Sequence, residues 1–419
     1  FTDGKSSFFF VQDPSSIAYV ICLVSLITIF VTAKAQRNVF NVLSYGAAGN
    51  GLIDDSLAFM KAWKDTCSAA AGTPTLIIPK GKIFLVHQII FTGPCKSNKI
   101  NVKLSGTIIA PNGPDQWKAA DLSTWLAFQG VNGLTIDGLG MIDGRGKGWW
   151  DRSCKFHRGQ QGCITLAPTV LKFENCNNIH MSNIKFHNSP QTHVLILGCQ
   201  NVDFGFLTIQ DPGTSPNTDG IHIQVARNVS IHNSQFSDGD DCISIGDRTS
   251  DISITDISCG PGHGVSIGSL GRGGADVQVN NINVRRVNFR GTTNGVRIKT
   301  WQGGRGIVRN VSFSNINFQA VANPIIIDQF YCDIPNSCRK SNTAVHISGV
   351  RFSQLFGTSK TKVGINLNCS SNIPCTGITL EDIHLASATS DSQLISSCNN
   401  AFGLNRGIID PKSCLRKII

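Results

Sequence analysis

A single-stranded parallel β-helix is the fold class this 419-residue sequence predicts, on three observations. A short unit recurs: Asn or Asp, a β-branched residue, a spacer, a second apolar residue, then Asn or Ser and another apolar strand residue. Clear copies run from Asn178 to Phe186, Asn228 to Phe236 and Asn310 to Phe318, with degenerate ones beginning at Asn201, Asp251, Asp276 and Ala344. Within each copy apolar and polar residues alternate, which is the periodicity of a strand. Four polar motifs also lie about one repeat apart: Asn217-Thr218-Asp219, Gly239-Asp240-Asp241, Gly262-His263-Gly264 and Arg297-Ile298-Lys299.

Aligning Ile179, Val202, Val229, Ile252, Val277, Val311 and Val345 gives steps of 23, 27, 23, 25, 34 and 34 residues. Periods of this size mark solenoids. Asn, Gly and Ser sit at the joints, where left-handed backbone angles cost least. Leucines are not periodic and no amphipathic helix recurs, so leucine-rich and helical repeats fit poorly. An antiparallel sandwich would not predict a constant step.

From the N-terminus, residues 1–35 read as an extension carrying a secretory signal. Ile17 to Thr32 is an uncharged apolar run, short for a membrane span, and Ala33-Lys34-Ala35 supplies small residues around a cleavage point. Residues 36–419 read as one domain, with no Pro- or Ser-rich linker. Asp54 to about Ser68 is predicted to be a helix, its carboxylates capping the N-terminus and its apolar face covering the first coil. Cys67 could tether it to Cys95. Of 15 cysteines, Cys22 falls in the apolar run. Cys154/Cys163, Cys242/Cys259, Cys332/Cys338, Cys369/Cys375 and Cys398/Cys414 are spaced for local disulfides in an oxidising compartment, whereas Cys176 and Cys199 suit stacked buried thiols. Asn228, Asn310 and Asn368 begin glycosylation sequons.

Charge narrows the partners. Lys and Arg outnumber Asp and Glu, 37 to 27, for a net +10. A basic surface raises the local concentration of a polyanion. Nucleic acid is disfavoured, because aromatics are 8% and the chain has no dense Lys/Arg run and no reading motif.

If each motif interval is one turn, Asp219, Asp240, His263, Arg297 and Tyr331 form a ladder along the axis, about 4.8 Å per step. Three crowded acids are costly to keep, since like charges raise one another's pKa. Asn or Thr would serve stability better. Glycoside hydrolysis needs such a set: one carboxyl donates a proton to the leaving oxygen and another activates water or attacks carbon. Gly239 suits a bend that turns Asp240 and Asp241 to different sides. Asp240-Asp241 as a calcium pair lacks further acidic ligands nearby. Trp149 and Trp150 suit either a sugar-binding loop or core packing. His87, His187, His193 and His222 read as structural or substrate-edge residues.

The runs Ser215 to His222, Gly239 to Gly246, Cys259 to Gly264 and Arg297 to Lys299, with the cysteines out to Cys414, resemble the polygalacturonase family of pectin hydrolases, plant type. That resemblance implies a right-handed β-helix and an inverting mechanism without metal or cofactor. Asp241 would be the general acid, and Asp219 and Asp240 would activate water. His263 would hold the carboxylates, Arg297 and Lys299 would bind a galacturonate carboxylate, and Asn217 and Tyr331 would contact the sugar. The implied substrate is de-esterified pectin (homogalacturonan) in the cell wall, acted on by a secreted monomer with no stable membrane association after signal cleavage. The alternatives are a hydrolase of rhamnogalacturonan or xylogalacturonan, a calcium-dependent lyase, and a non-catalytic pectin-binding β-helix. Asp238 departs from the pattern, since a small neutral residue is expected before Gly239.

Overall fold

The computed structural model describes residues 38–118, 121–334, 338–389 and 393–417. The expected signal segment lies outside them. The chain coils as a right-handed parallel β-helix. Every strand pairing in the two large sheets is parallel, and each strand pairs with those one coil before and after it. One sheet of 11 strands runs without a break from Ile89–Thr92 to Ile395–Asn399. Its inward residues are Val, Ile, Leu and Phe, nearly all without exposed surface. Phe91, Phe128 and Phe173 stack one per coil at 4.9 and 5.7 Å, so the interior is filled by like residues in rows.

The recurring Asn belongs to an external ladder. Asn178, Asn201 and Asn228 each have φ near +55°, which Asn tolerates better than most residues. Each donates its side-chain amide to the Asn one coil earlier, at 2.7, 3.0 and 2.8 Å from Asn132 onward. The coil register agrees with the sequence alignment through Ile179, Val202, Val229 and Ile252. It then departs. Ile252 pairs with Ile282, not Val277, and Val311 pairs with Val350, not Val345. The strand Asp276–Arg290 is extended at its start, so Val277 pairs with Gly306 and the equivalent position moves five residues on.

The predicted helix is present as α1, Ser56–Ser68. Phe59 packs edge-on to Phe84 at 5.4 Å, Trp63 meets Phe91 and Phe128, and the Cys67–Cys95 disulfide fastens the end. Capping differs from expectation. Asp54 accepts from the Ser56 amide at 3.0 Å, but Asp55 turns back to the Ala48 and Gly49 amides at 2.6 and 3.1 Å. All five local cysteine pairs are disulfides, and Cys176 and Cys199 are buried free thiols. Among the described residues no helix is long and apolar enough to cross a membrane.

Candidate active site

Six consecutive strands of the 11-stranded sheet frame the site, and the last five carry or directly follow the motif residues: β1 Val194–Leu197, β2 Ile221–Gln224, β3 Ile243–Ile245, β4 Val265–Leu270, β5 Asn294–Trp301 and β6 Asn323–Tyr331. Ile221, Ile243, Val265, Val296 and Ile325 stand in register and are buried in the core. The residues after them alternate outward, so His222, Ser244, Ser266 and Arg297 form one row on the opposite face. Asp219, Asp241 and His263 each precede their registered core residue by two and occupy the corner before the strand. The single ladder expected from spacing is therefore two rows. Arg297 stands level with Ser266, and Tyr331 lies opposite Trp301, because register is fixed by the strands and not by the length of the coil between them.

Two glycines make the corners possible. A Cβ on Gly239 would lie 1.9 Å from the Ser215 carbonyl oxygen. Gly239 is thus required by close approach between coils, where the sequence suggested a bend. Gly264 has φ +85° and would meet the Asn294 carbonyl oxygen at 2.3 Å.

The two rows bring the acids together. Asp241 is buried, and its carboxylate accepts from Ser266 Oγ at 2.8 Å, Arg297 Nη2 at 2.8 Å and Lys299 Nζ at 2.9 Å. Asp219 Oδ2 accepts from Ser244 Oγ at 2.7 Å, and the same hydroxyl lies 2.7 Å from His222 Nδ1. Ser244 and Ser266 are partners on adjacent strands, so the carboxylates they hold are anchored one coil apart on one wall. Asp240 Oδ1 lies 3.0 Å from His263 Nδ1, and its Oδ2 accepts from Lys155 Nζ at 2.7 Å. Arg297 also donates to Ser266 Oγ at 3.0 Å. The Lys299 ammonium lies 5.4 Å from the centre of the Tyr331 ring.

These environments split the acids. Burial raises the Asp219 pKa well above the usual carboxylate range, helped by the charges of Asp240 and Asp241. Burial also acts on Asp240, but the hydrogen bond and charge of His263 and the Lys155 ammonium outweigh it and hold Asp240 below the usual range. Asp238, the departure noted in the sequence, has no exposed surface. Burial first, then the Asp219 and Asp240 charges, push it well above the carboxylate range. Its Oδ1 accepts from the Asp240 amide at 3.2 Å. Burial raises Tyr331, with Asp333 adding to the shift.

Asn217, Asp240, His263, Arg297, Lys299 and Tyr331 line one open groove of about 1090 Å³. The segment 153–165, Arg272, Asn294 and Asp333 complete its walls. Of these, Lys155 was invisible to motif spacing, because it comes from a loop outside the repeat. Ser244 and Ser266 were missed because a small polar residue in an alternating strand carries no chemical signature. Asp240, Asp241 and His263 could hold a metal ion, with ligand atoms within 4.8 Å of one another. Lys155, Arg297 and Lys299 already engage the same carboxylate oxygens. Trp149 is buried against Trp117 at 5.6 Å, and Trp150 donates to the Ser189 carbonyl at 2.8 Å, so this pair packs outside the groove. His193 is wholly buried, with Nε2 at 3.1 Å from Asp211.

A buried cluster of carboxylates beside an open, cation-lined groove supplies the paired acids that glycoside hydrolysis requires. The family model described as Glycosyl hydrolases family 28 matches residues 67–406, and the chain belongs to that family. It is 42% identical over 378 residues to polygalacturonase QRT2 of Arabidopsis thaliana, covering 90% of this chain and 85% of that protein. It is 42% identical to polygalacturonase-2 of Solanum lycopersicum (90% and 82% covered) and 41% to a polygalacturonase of Malus domestica (91% and 80%). In fold it is similar to an endo-xylogalacturonan hydrolase from Aspergillus tubingensis, with TM-score 0.74 and 22% identity over 88% of this chain and 98% of that one. The polygalacturonase of Erwinia carotovora gives TM-score 0.68 and 23% identity, covering 88% and 94%.

Proposed function

We propose that this hydrolase is a secreted polygalacturonase that cleaves α-1,4-galacturonosyl bonds of de-esterified pectin with inversion, in the cell wall. The observation that carries the reading is Asp241, buried and clasped by Arg297 and Lys299, the two cations that themselves line the groove. A uronate carboxylate is the group those two cations would engage next. Turning toward it, they free the Asp241 oxygens to face the glycosidic oxygen.

The proton follows from the divided environments. Asp219 is the acid favoured to keep a proton before substrate binds, while Asp240 stays ionised. With substrate bound and its counterions drawn off, Asp241 takes the trio's proton and gives it to the leaving oxygen. Water attacks the anomeric carbon from the other face and yields its proton to Asp219 and Asp240. One proton leaves the trio and one enters, so the cycle closes. His263 orients Asp240, and Asn217 and Tyr331 border the bound sugar. A neutral galactan would leave Arg297 and Lys299 on Asp241, so this reading expects hydrolysis of acid sugar and not of neutral galactan.

Digestion of polygalacturonate with size analysis of the products tests the reading. Wild type should release reducing ends without unsaturated uronides, and Asp241→Asn should lose at least about 10³-fold in kcat. Equal release by that variant removes the assignment of the acid. Preferential cleavage of rhamnogalacturonan or xylogalacturonan would replace the substrate and keep the mechanism. Tight binding without reducing ends would make the chain a lectin-like wall protein.

A further inference from the structure

We infer that Lys155 is a positioning residue for the hydrolysis proposed above: its ion pair to Asp240 fixes that carboxylate as the proton acceptor of the trio. Lys155 lies 85 residues from Asp240 in sequence and comes from a loop outside the β-helix repeat. An exposed lysine paired with a surface carboxylate would mean little. Three features set this pair apart.

The first is where Lys155 is anchored. It follows the neck of the loop, where Ser153 and Ile164 form a β-bridge. Cys154 donates to the Ile164 carbonyl at 2.9 Å, Ile164 to the Arg152 carbonyl at 2.7 Å, and Cys154 is disulfide-bonded to Cys163. The Lys155 amide also lies 3.3 Å from Ser153 Oγ. Its backbone therefore sits at the tied base of a covalently closed segment, and only the side chain must be ordered.

The second is the state of its partner. Asp240 is half-buried, and its oxygens face three donors: His263 Nδ1 and the Asp241 amide on Oδ1, each at 3.0 Å, and Lys155 on Oδ2. A carboxylate held ionised by such donors is badly placed to be the acid, and of its roughly four lone-pair sites one stays free for the proton of the attacking water. The third is what else faces it. Asp219, Asp238 and Asp241 surround Asp240 with carboxyls, while Arg297 and Lys299 are committed to Asp241. Lys155 is the lysine that reaches Asp240, and without it the His263 ring and the neutral Asp241 amide are left to offset that crowding.

The test is the pH dependence of kcat/KM on polygalacturonate for wild type, Lys155→Met and Lys155→Arg. With the ammonium gone, Asp240 should pick up a proton at higher pH, so the acid limb should move up by about one unit. Lys155→Arg should return most of the shift. The double variant Cys154→Ser/Cys163→Ser, which frees the loop while leaving Lys155 in place, should move the limb the same way by less. Thermal unfolding midpoints separate these effects from misfolding, since Lys155→Met should melt with wild type. An acid limb that does not move in Lys155→Met overturns the inference, as does a rise in KM with the limb unmoved, which would make Lys155 a substrate contact. If wild type itself released no reducing ends, the hydrolase reading and this inference would fall together. If wild type hydrolyses and the limb stays put, this inference alone fails.

Discussion

Asp238 has no solvent-exposed surface, and its Oδ2 has no hydrogen-bond partner among the described residues. A carboxylic acid in that position is best kept neutral, which agrees with the upward push from burial and from Asp219 and Asp240. The sign of its effect on stability follows. Unfolded, an Asp ionises near pH 4, whereas folded Asp238 holds its proton to higher pH. Between those two values the folded state binds more protons, so stability falls as pH rises. Asp238→Asn keeps the acceptor for the Asp240 amide and removes that slope. Its unfolding temperature should match wild type near pH 4 and exceed it increasingly toward neutrality. Parallel curves would mean that Asp238 is not neutral in the fold. Ser266 offers a second test at this scale. It donates to Asp241 and accepts from Arg297. Ser266→Ala should lower kcat by about tenfold with little change in KM, the cost of one charge-assisted hydrogen bond in the transition state. A change confined to KM would mean that Ser266 serves binding only.

Helix α1 is the element on which the first coils depend. A β-helix exposes its core at each end, and α1 closes the N-terminal one with Ala58, Phe59, Ala62 and Trp63. Phe59→Ala should cost about 3–5 kcal/mol, read from denaturant unfolding. A loss under about 1 kcal/mol would mean that the lid is dispensable. This helix was legible in the sequence because its apolar spacing is local. Its cap was only half legible: Asp54 and Asp55 look alike in sequence, yet one reaches Ser56 and the other turns back to Ala48 and Gly49. The same division runs through the coils. Ile179 to Ile252 could be placed in register from the repeat, since each follows an Asn or Asp at steps of 23 to 27 residues. Val277 and Val345 could not, because Asp276–Arg290 is lengthened at its start and the equivalent residues are Ile282 and Val350. In the site, the four motifs named the acids and their cations. The second row, Ser244 and Ser266, and the incoming Lys155 depend on which coil faces which loop, and adjacent sequence does not encode that.

Across the whole molecule the net charge of +10 and the lining of the groove act in the same direction. Lys155, Arg158, Arg272, Arg297 and Lys299 border the groove, against Asp240 and Asp333 among its lining acids. Arg297 and Lys299 are largely withdrawn from solvent, whereas Lys155 and Arg158 are exposed. Salt should therefore weaken capture of a polyanion more than the chemical step, because exposed charges are screened over a Debye length of about 8 Å at physiological ionic strength while the buried clasp on Asp241 is not. Raising sodium chloride from about 0.05 M to about 0.5 M should lower kcat/KM on polygalacturonate by about tenfold or more and leave kcat within about twofold. A galacturonate trimer, which spans fewer of these cations, should lose less than the polymer. A fall in kcat as large as that in kcat/KM would place the salt-sensitive contact inside the reacting subsite. It would then be the Arg297–Lys299 clasp, and not the outer rim, that would have to select the proposed acid polymer.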